Sequence, residues 1–235
     1  MKKMTKFFAL ALLAGAMVSC STEDIAPSTQ NDKVAVQFTG GISVNTRAAG
    51  LAWADGDMIG IFMTGTKQPL SADAIKEGVD NVCYQSNGSI GFSPVSGGKT
   101  IFFPIDGDVD FYSYYPQTTV NDYKVALDVT DQGKQEAIDF MYAKTEGCNK
   151  ATPQVFLKFY HKLSNLILDV QPGNGLTQED LKNMTVTVKG QNTKATFNLV
   201  DGTISGEENP ADITMKTTEA GKLYMICLLY TSDAA

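Results

Sequence analysis

Val34-Ala-Val-Gln-Phe38, Gly40-Gly41-Ile-Ser-Val44, Asn45-Thr46-Arg47-Ala48-Ala49-Gly50 and Trp53-Ala-Asp-Gly-Asp-Met-Ile-Gly-Ile-Phe-Met63 follow one another with little between them. The first two pieces alternate apolar and polar residues, the period of a half-buried strand. Gly40-Gly41 interrupts the alternation and predicts a bulge or a bend. Val34, Val36 and Phe38 fall on one face of that strand, which predicts that they face a core. The last piece carries the single tryptophan and a second apolar strand. Arg47 stands between the two strands in a run of small and polar residues. It has two readings, a solvated turn residue or a protease site that frees the first strand. Exposed runs of small residues are where chains are nicked.

Outward from this stretch the chain continues as short strands separated by turn signals. Asn81–Gln85 and Ser89–Phe92 flank Asn87-Gly88, a hairpin turn. Lys99–Phe103, Val109–Tyr115, Tyr123–Val129, Ile138–Ala143, Thr152–His161 and Leu163–Val170 read as further strands. Ser71–Gly78 and Thr177–Lys182 read as short helical turns, the second capped by Thr177 with Asp180 three residues on. Met184–Val188 and Ala195–Val200 alternate, and Asp201-Gly202 turns the latter into Thr203–Ser205. No long amphipathic helix occurs and strands do not alternate with helices, which argues against a parallel α/β sheet. The pattern predicts an all-β chain: a Greek-key β-sandwich over residues 34–171, then the start of a second β-domain over 176–226. Pro172-Gly-Asn-Gly175 is the expected boundary.

A chain of 235 residues with 43% hydrophobic residues can build a core. A net charge of -7 and a pI near 4.7 argue against nucleic acid and anionic membrane surfaces as partners. Residues 1–19 combine a basic start with an apolar run too short for a comfortable membrane span, the pattern of a secretory signal. The run ends Ala16-Met-Val-Ser-Cys20, which reads as a lipobox with Cys20 as the lipidated residue. Met17 and Val18 depart from its strictest form. Several acyl chains on one cysteine give stable anchoring. Residues 20–33 then form a flexible tether, whose Glu23-Asp24 resembles a surface-export signal of outer-membrane lipoproteins.

The chemistry-bearing residues are sparse. His161 is the single histidine; at the end of an aromatic strand it reads as structural, and one histidine cannot anchor a multi-histidine metal site. Asp55/Asp57 and Asp106/Asp108 each straddle a glycine, and tight-turn chemistry explains both better than an incomplete calcium loop. Cys83 and Cys148 carry no zinc spacing, and export permits, without requiring, that they pair. The aromatic residues from Phe102 to Tyr115 sit at core spacing, with a sugar platform as the alternative. No cofactor, no metal and no enzymatic activity are expected.

In order, the lipobox at Cys20, Thr46-Arg47-Ala48 with Trp53-Ala-Asp-Gly-Asp-Met-Ile-Gly-Ile61, Phe111-Tyr-Ser-Tyr-Tyr-Pro116, and Ile138-Asp-Phe-Met-Tyr142 leading to Leu157-Lys-Phe-Tyr-His-Lys-Leu163 resemble the fimbrillin-like family, the subunits of type V pili and related surface lipoproteins. The resemblance covers about Cys20 to Val200. It implies two β-sandwich domains of transthyretin-like topology, an outer-membrane lipoprotein at the cell surface, and maturation by an arginine-directed protease between Arg47 and Ala48. It also implies polymerisation with other pilus subunits by strand exchange, and a host protein or glycan as possible receptor. The alternative is a lipid-anchored surface module that binds glycans and never polymerises. Cys227-Leu-Leu-Tyr-Thr-Ser-Asp-Ala-Ala235 departs from the family and reads as a non-native tail, with a genuine strand over Leu223–Thr231 as the other reading.

Overall fold

The computed structural model describes residues 33–43 and 52–228. The expectations at Cys20, Arg47 and Ala48, and those for the last residues from Leu229 on, lie outside the described residues. What is described is an all-β chain, as the strand spacing predicts. Its first part holds β1 (Gln37–Ser43), β2 (Asp55–Gly65), β3 (Val82–Asn87), β4 (Gly91–Pro94) and β5 (Val109–Tyr115). Then follow β6 (Lys124–Asp128), α1 (Gln135–Ile138), β7 (Met141–Cys148), β8 (Gln154–His161) and β9 (Ser164–Asp169). The last strands are β10 (Thr187–Asn198), β11 (Thr203–Thr214), β12 (Lys216–Glu219) and β13 (Lys222–Cys227).

Seven strands hydrogen-bond in the order β1-β4-β3-β2-β5-β7-β8, and β8 pairs back to β1. In hydrogen-bonding terms this ring is a closed barrel, where two separate sheets of a Greek-key sandwich were expected. Its interior holds Phe38, Trp53, Ile59, Ile61, Met63, Tyr84, Phe111, Leu157 and Phe159. A second core lies on the outer side of β2, β5 and β7. It joins Phe62, Tyr112, Tyr114 and Tyr142 to Val125, Leu127, Phe197, Ile213, Leu223 and Met225. Two three-stranded sheets, β11-β10-β6 and β12-β13-β9, supply those partners.

This arrangement explains β5. Val109-Asp-Phe-Tyr-Ser-Tyr-Tyr115 reads as a strand with aromatic residues at alternate positions, and all its residues are buried. Phe111 and Tyr115 point into the barrel, and Tyr112 and Tyr114 point into the second core. Such a strand is buried on both sides, so alternation carries no polar face. Strands from both sides of Pro172–Gly175 share sheets and a core: β6 pairs with β10, and β9 with β13. Cys227 pairs with Ser164 in that ladder and is buried, as is Leu228.

Several local expectations are met. Gly88 has φ +74° in the β3–β4 turn, and Thr177 donates its backbone N–H to Asp180 Oδ2 at 2.7 Å. Others differ. Lys99–Phe103 contributes only a bridge from Phe102 to Ala35, because its backbone partner is the short lead-in to β1. Ile138 closes α1 instead of opening a strand. Met184–Val188 and Ala195–Val200 merge into the single strand β10, with irregularities after Val188 and after Lys194. Pro210 lies in β11, at the outer edge of its sheet, where a missing N–H does no harm.

Candidate functional site

The first strand occupies a position unlike that of any other described strand. Along one edge it runs parallel to β8, from Gln37 beside Gln154 to Ser43 beside Tyr160. Along the other it runs antiparallel to β4 at Phe38 and Thr39. The lead-in continues that edge: Val36 N–H donates to Ile101 O at 3.0 Å and Phe103 N–H to Val34 O at 2.9 Å. Both edges are therefore engaged from Phe38 to Gly40, while the β8 edge alone continues to Ser43. The parallel register runs from Gln37 to Ser43 without a shift, so the bulge or bend expected at Gly40-Gly41 is absent. The glycines answer to close packing instead. A Cβ on Gly40 would lie 2.8 Å from Phe92 Cε2.

The inward face of β1 is apolar. Val36 and Phe38 are buried, and Val34 packs against the same core. Phe38 meets Tyr84 and Phe111 edge-on, with ring centroids 5.3 and 5.1 Å away. Burying a side chain of this size contributes about 2–3 kcal/mol. Trp53 closes the site from the other side of Arg47 in sequence. Its Nε1 donates to Gly40 O at 3.1 Å. Its ring lies edge-on to Phe92, Phe159 and Tyr115, at 5.0, 5.0 and 5.5 Å. Tyr115 is held in turn by its hydroxyl, which reaches Asp57 Oδ1 at 3.2 Å and Glu136 O at 3.1 Å. Burial, with Asp57 beside it, raises the Tyr115 pKa, so the hydroxyl stays a donor. An N-terminal strand is thus clamped in an apolar groove, and Arg47 follows it in sequence.

A profile of the family described as Fimbrillin-like matches residues 46–233. The chain belongs to the fimbrillin-like family. It is 37% identical over 221 residues to "Putative fimbrium subunit Fim1C" of Bacteroides uniformis, an alignment covering 89% of this chain and 68% of that protein. Among solved structures, a "putative cell adhesion protein" from Bacteroides uniformis superposes with a TM-score of 0.71 at 34% identity, covering 85% of this chain and 77% of that one. A second protein so described, from Bacteroides ovatus, gives a TM-score of 0.64 at 26% identity, covering 83% and 78%. The span matched by the fimbrillin-like profile opens beside Arg47 and leaves β1 before it.

The other residues singled out in this fimbrillin-like sequence are tied into the scaffold. His161 Nδ1 lies 2.8 Å from Asp139 Oδ1, and its Nε2 is buried. Asp57 Oδ2 accepts the Ala54 N–H at 2.8 Å, and Asp108 Oδ1 accepts from Asn149 Nδ2 at 3.1 Å. Among the described residues, no group of three or more His, Cys, Asp or Glu stands close enough to hold a metal ion. Phe103, Phe111, Tyr112, Tyr114 and Tyr115 are buried in the two cores, so they form no exposed platform. Sequence reasoning passed over Asp110, which is almost fully buried in β5. It accepts hydrogen bonds from Thr66 Oγ1, Lys67 N–H and Gly147 N–H, each at 2.9 Å. A carboxylate set inside an aromatic run was the available signal.

Cys83 and Cys148 are not bonded to each other. Burial pushes the Cys148 thiol up to about 11, and the nearby Asp110 and Asp108 add to the shift. A free cysteine thiol titrates at about 8.5, and only the thiolate is nucleophilic. Alkylation of Cys148 by iodoacetamide at pH 8 should therefore run about 100-fold slower than that of a free thiol. Its rate should climb with pH up to the raised pKa. Peptide mass spectrometry over a time course reads both. Alkylation at the free-thiol rate would contradict the raised thiol pKa and its half-buried setting.

Proposed function

We propose that this chain is a fimbrial subunit that is exported as a lipoprotein through Cys20, cut between Arg47 and Ala48, and assembled at the cell surface by strand exchange with other pilus subunits. The observation that supports this most is the seat of β1: an end strand, paired on both edges and buried on its inward face, joined to the rest through the stretch that holds Arg47. Removing such a strand leaves two rows of unpaired N–H and C=O groups beside exposed apolar pockets. An incoming strand satisfies both at once. After the cut only the seated β1 still holds the body to the lipid on Cys20, so the departure of that strand both releases the anchor and opens the groove. Family membership supports a structural, pilus-associated role rather than a catalytic one.

Arg47 is the only arginine in the sequence, so an arginine-specific protease tests the reading at a single bond. Limited digestion of the folded chain should give one cut, absent in Arg47→Ala. The cut product should unfold at a lower temperature on dilution and take up a labelled peptide spanning residues 34–44. Resistance of Arg47 in the folded chain, or a cut product that neither loses stability nor takes up peptide, would exclude strand exchange at this site.

A further inference from the structure

The groove around β1 is not equally roomy along its length. Val36, Phe38 and Gly40 are successive positions on the inward face, since side chains alternate along a strand. The first two hold bulky side chains, and the third admits none. A Cβ on Gly40 would lie 2.8 Å from Phe92 Cε2, and 3.3 Å from both Leu157 O and Phe159 Cε2. Leu157 O is backbone. Phe92 and Phe159 are buried, and the Trp53 ring packs edge-on against both, so neither ring is free to swing aside. Gly40 is not among the residues with positive φ. Glycine is required there by space, not by backbone conformation. Gly41 makes the contrast. Its Cβ would meet only the Phe156 ring, at 2.9 Å, and Phe156 is 52% exposed and can turn into solvent.

We propose that the groove selects its strand by a glycine. Resting on the strand-exchange reading above, the partner is a strand of a second subunit that runs parallel to β8 and carries apolar side chains four and two residues before a glycine at the Gly40 position. The Trp53 indole takes the backbone carbonyl at that position, which every strand offers, so this bond holds the strand without discriminating. The wall of Phe92, Phe159 and Leu157 O discriminates. It also fixes register. A slip of one residue turns the apolar set outward, and a slip of two brings a side chain against the wall.

The test uses the full chain cut after Arg47, incubated with labelled peptides spanning residues 34–44. Three sequences are compared: native, Gly40→Val and Gly41→Val. The native and Gly41→Val peptides should be taken up to similar extents. Gly40→Val should be taken up at least about tenfold less, the scale of overpacking in a closed core. Equal uptake of the Gly40→Val and native peptides would overturn selection by glycine while leaving strand exchange standing. Failure of the native peptide to enter would overturn both. A second measurement does not depend on exchange: in the uncut chain, Gly40→Val should lower the unfolding midpoint more than Gly41→Val. Equal shifts would count against the rigid wall.

Discussion

Trp53→Ala should cost the uncut protein about 4 kcal/mol of stability, the scale of removing a buried tryptophan. The size of the effect follows from what the indole does. It is nearly fully buried, lies edge-on to three other rings, and donates to the carbonyl of Gly40. Its loss leaves a cavity at the point where β1, β4 and β8 meet, and an unpaired carbonyl in β1. Trp53→Phe keeps most of the ring contacts and removes the N–H, so it should cost less, about 1–2 kcal/mol. Denaturant unfolding of the three proteins separates packing from the hydrogen bond. The same series after cleavage should rank β1 release: fastest from Trp53→Ala, slower from Trp53→Phe, slowest from wild type. A Trp53→Ala protein within 1 kcal/mol of wild type would show that the ring cluster is not what clamps the strand.

Asp110→Ala is expected to be comparably severe, at about 3–5 kcal/mol. The carboxylate satisfies three donors at once, two of them backbone N–H groups at Lys67 and Gly147. Leaving a buried donor without a partner costs about 1–3 kcal/mol, more than the net gain of making a bond. Asp110→Asn is nearly the same size, but it turns an NH2 toward a donor, so it should recover only part of the loss. Chemical denaturation with unchanged m-values would read the difference directly. A loss below 1 kcal/mol for Asp110→Ala would mean that water replaces the carboxylate and that the site is less closed than its burial indicates.

The same residue shows where sequence reading stops. Alternation identified Val109–Tyr115 as a strand, and the strand is there. It could not show that a second core covers the other face, because that core is completed by Phe197, Ile213 and Leu223, which are distant in sequence. Asp110 drew no reading of its own, because nothing local tells an enclosed carboxylate from one that points to solvent. Gly40-Gly41 misled for a related reason. A glycine pair in a strand signals either a bulge or a close approach, and only the position of Phe92 decides between them. The candidate site was more legible than the fold that surrounds it. The Val36/Phe38 face and the lone tryptophan are local features, and both lie in the seat of β1. Their neighbours β4 and β8 are not, since nothing near residue 38 encodes that Phe92 and Val155 will flank it.

Among the described strand pairs, β1 with β8 is the parallel one. Its first partners, Gln37 and Gln154, stand 117 residues apart. A parallel pair cannot be made by a hairpin, so this contact carries the loop-closure entropy of everything between. Of the described strands, the first to be synthesised is therefore expected to be seated among the last. Contacts so far apart in sequence form slowly, while the β2–β3 and β5–β7 neighbours are held by nearer ones. For that interval the nascent barrel has an open seam, and its own N-terminus competes with any other extended segment for the place. A short tether between β1 and β2 raises the local concentration of the resident strand and wins that race.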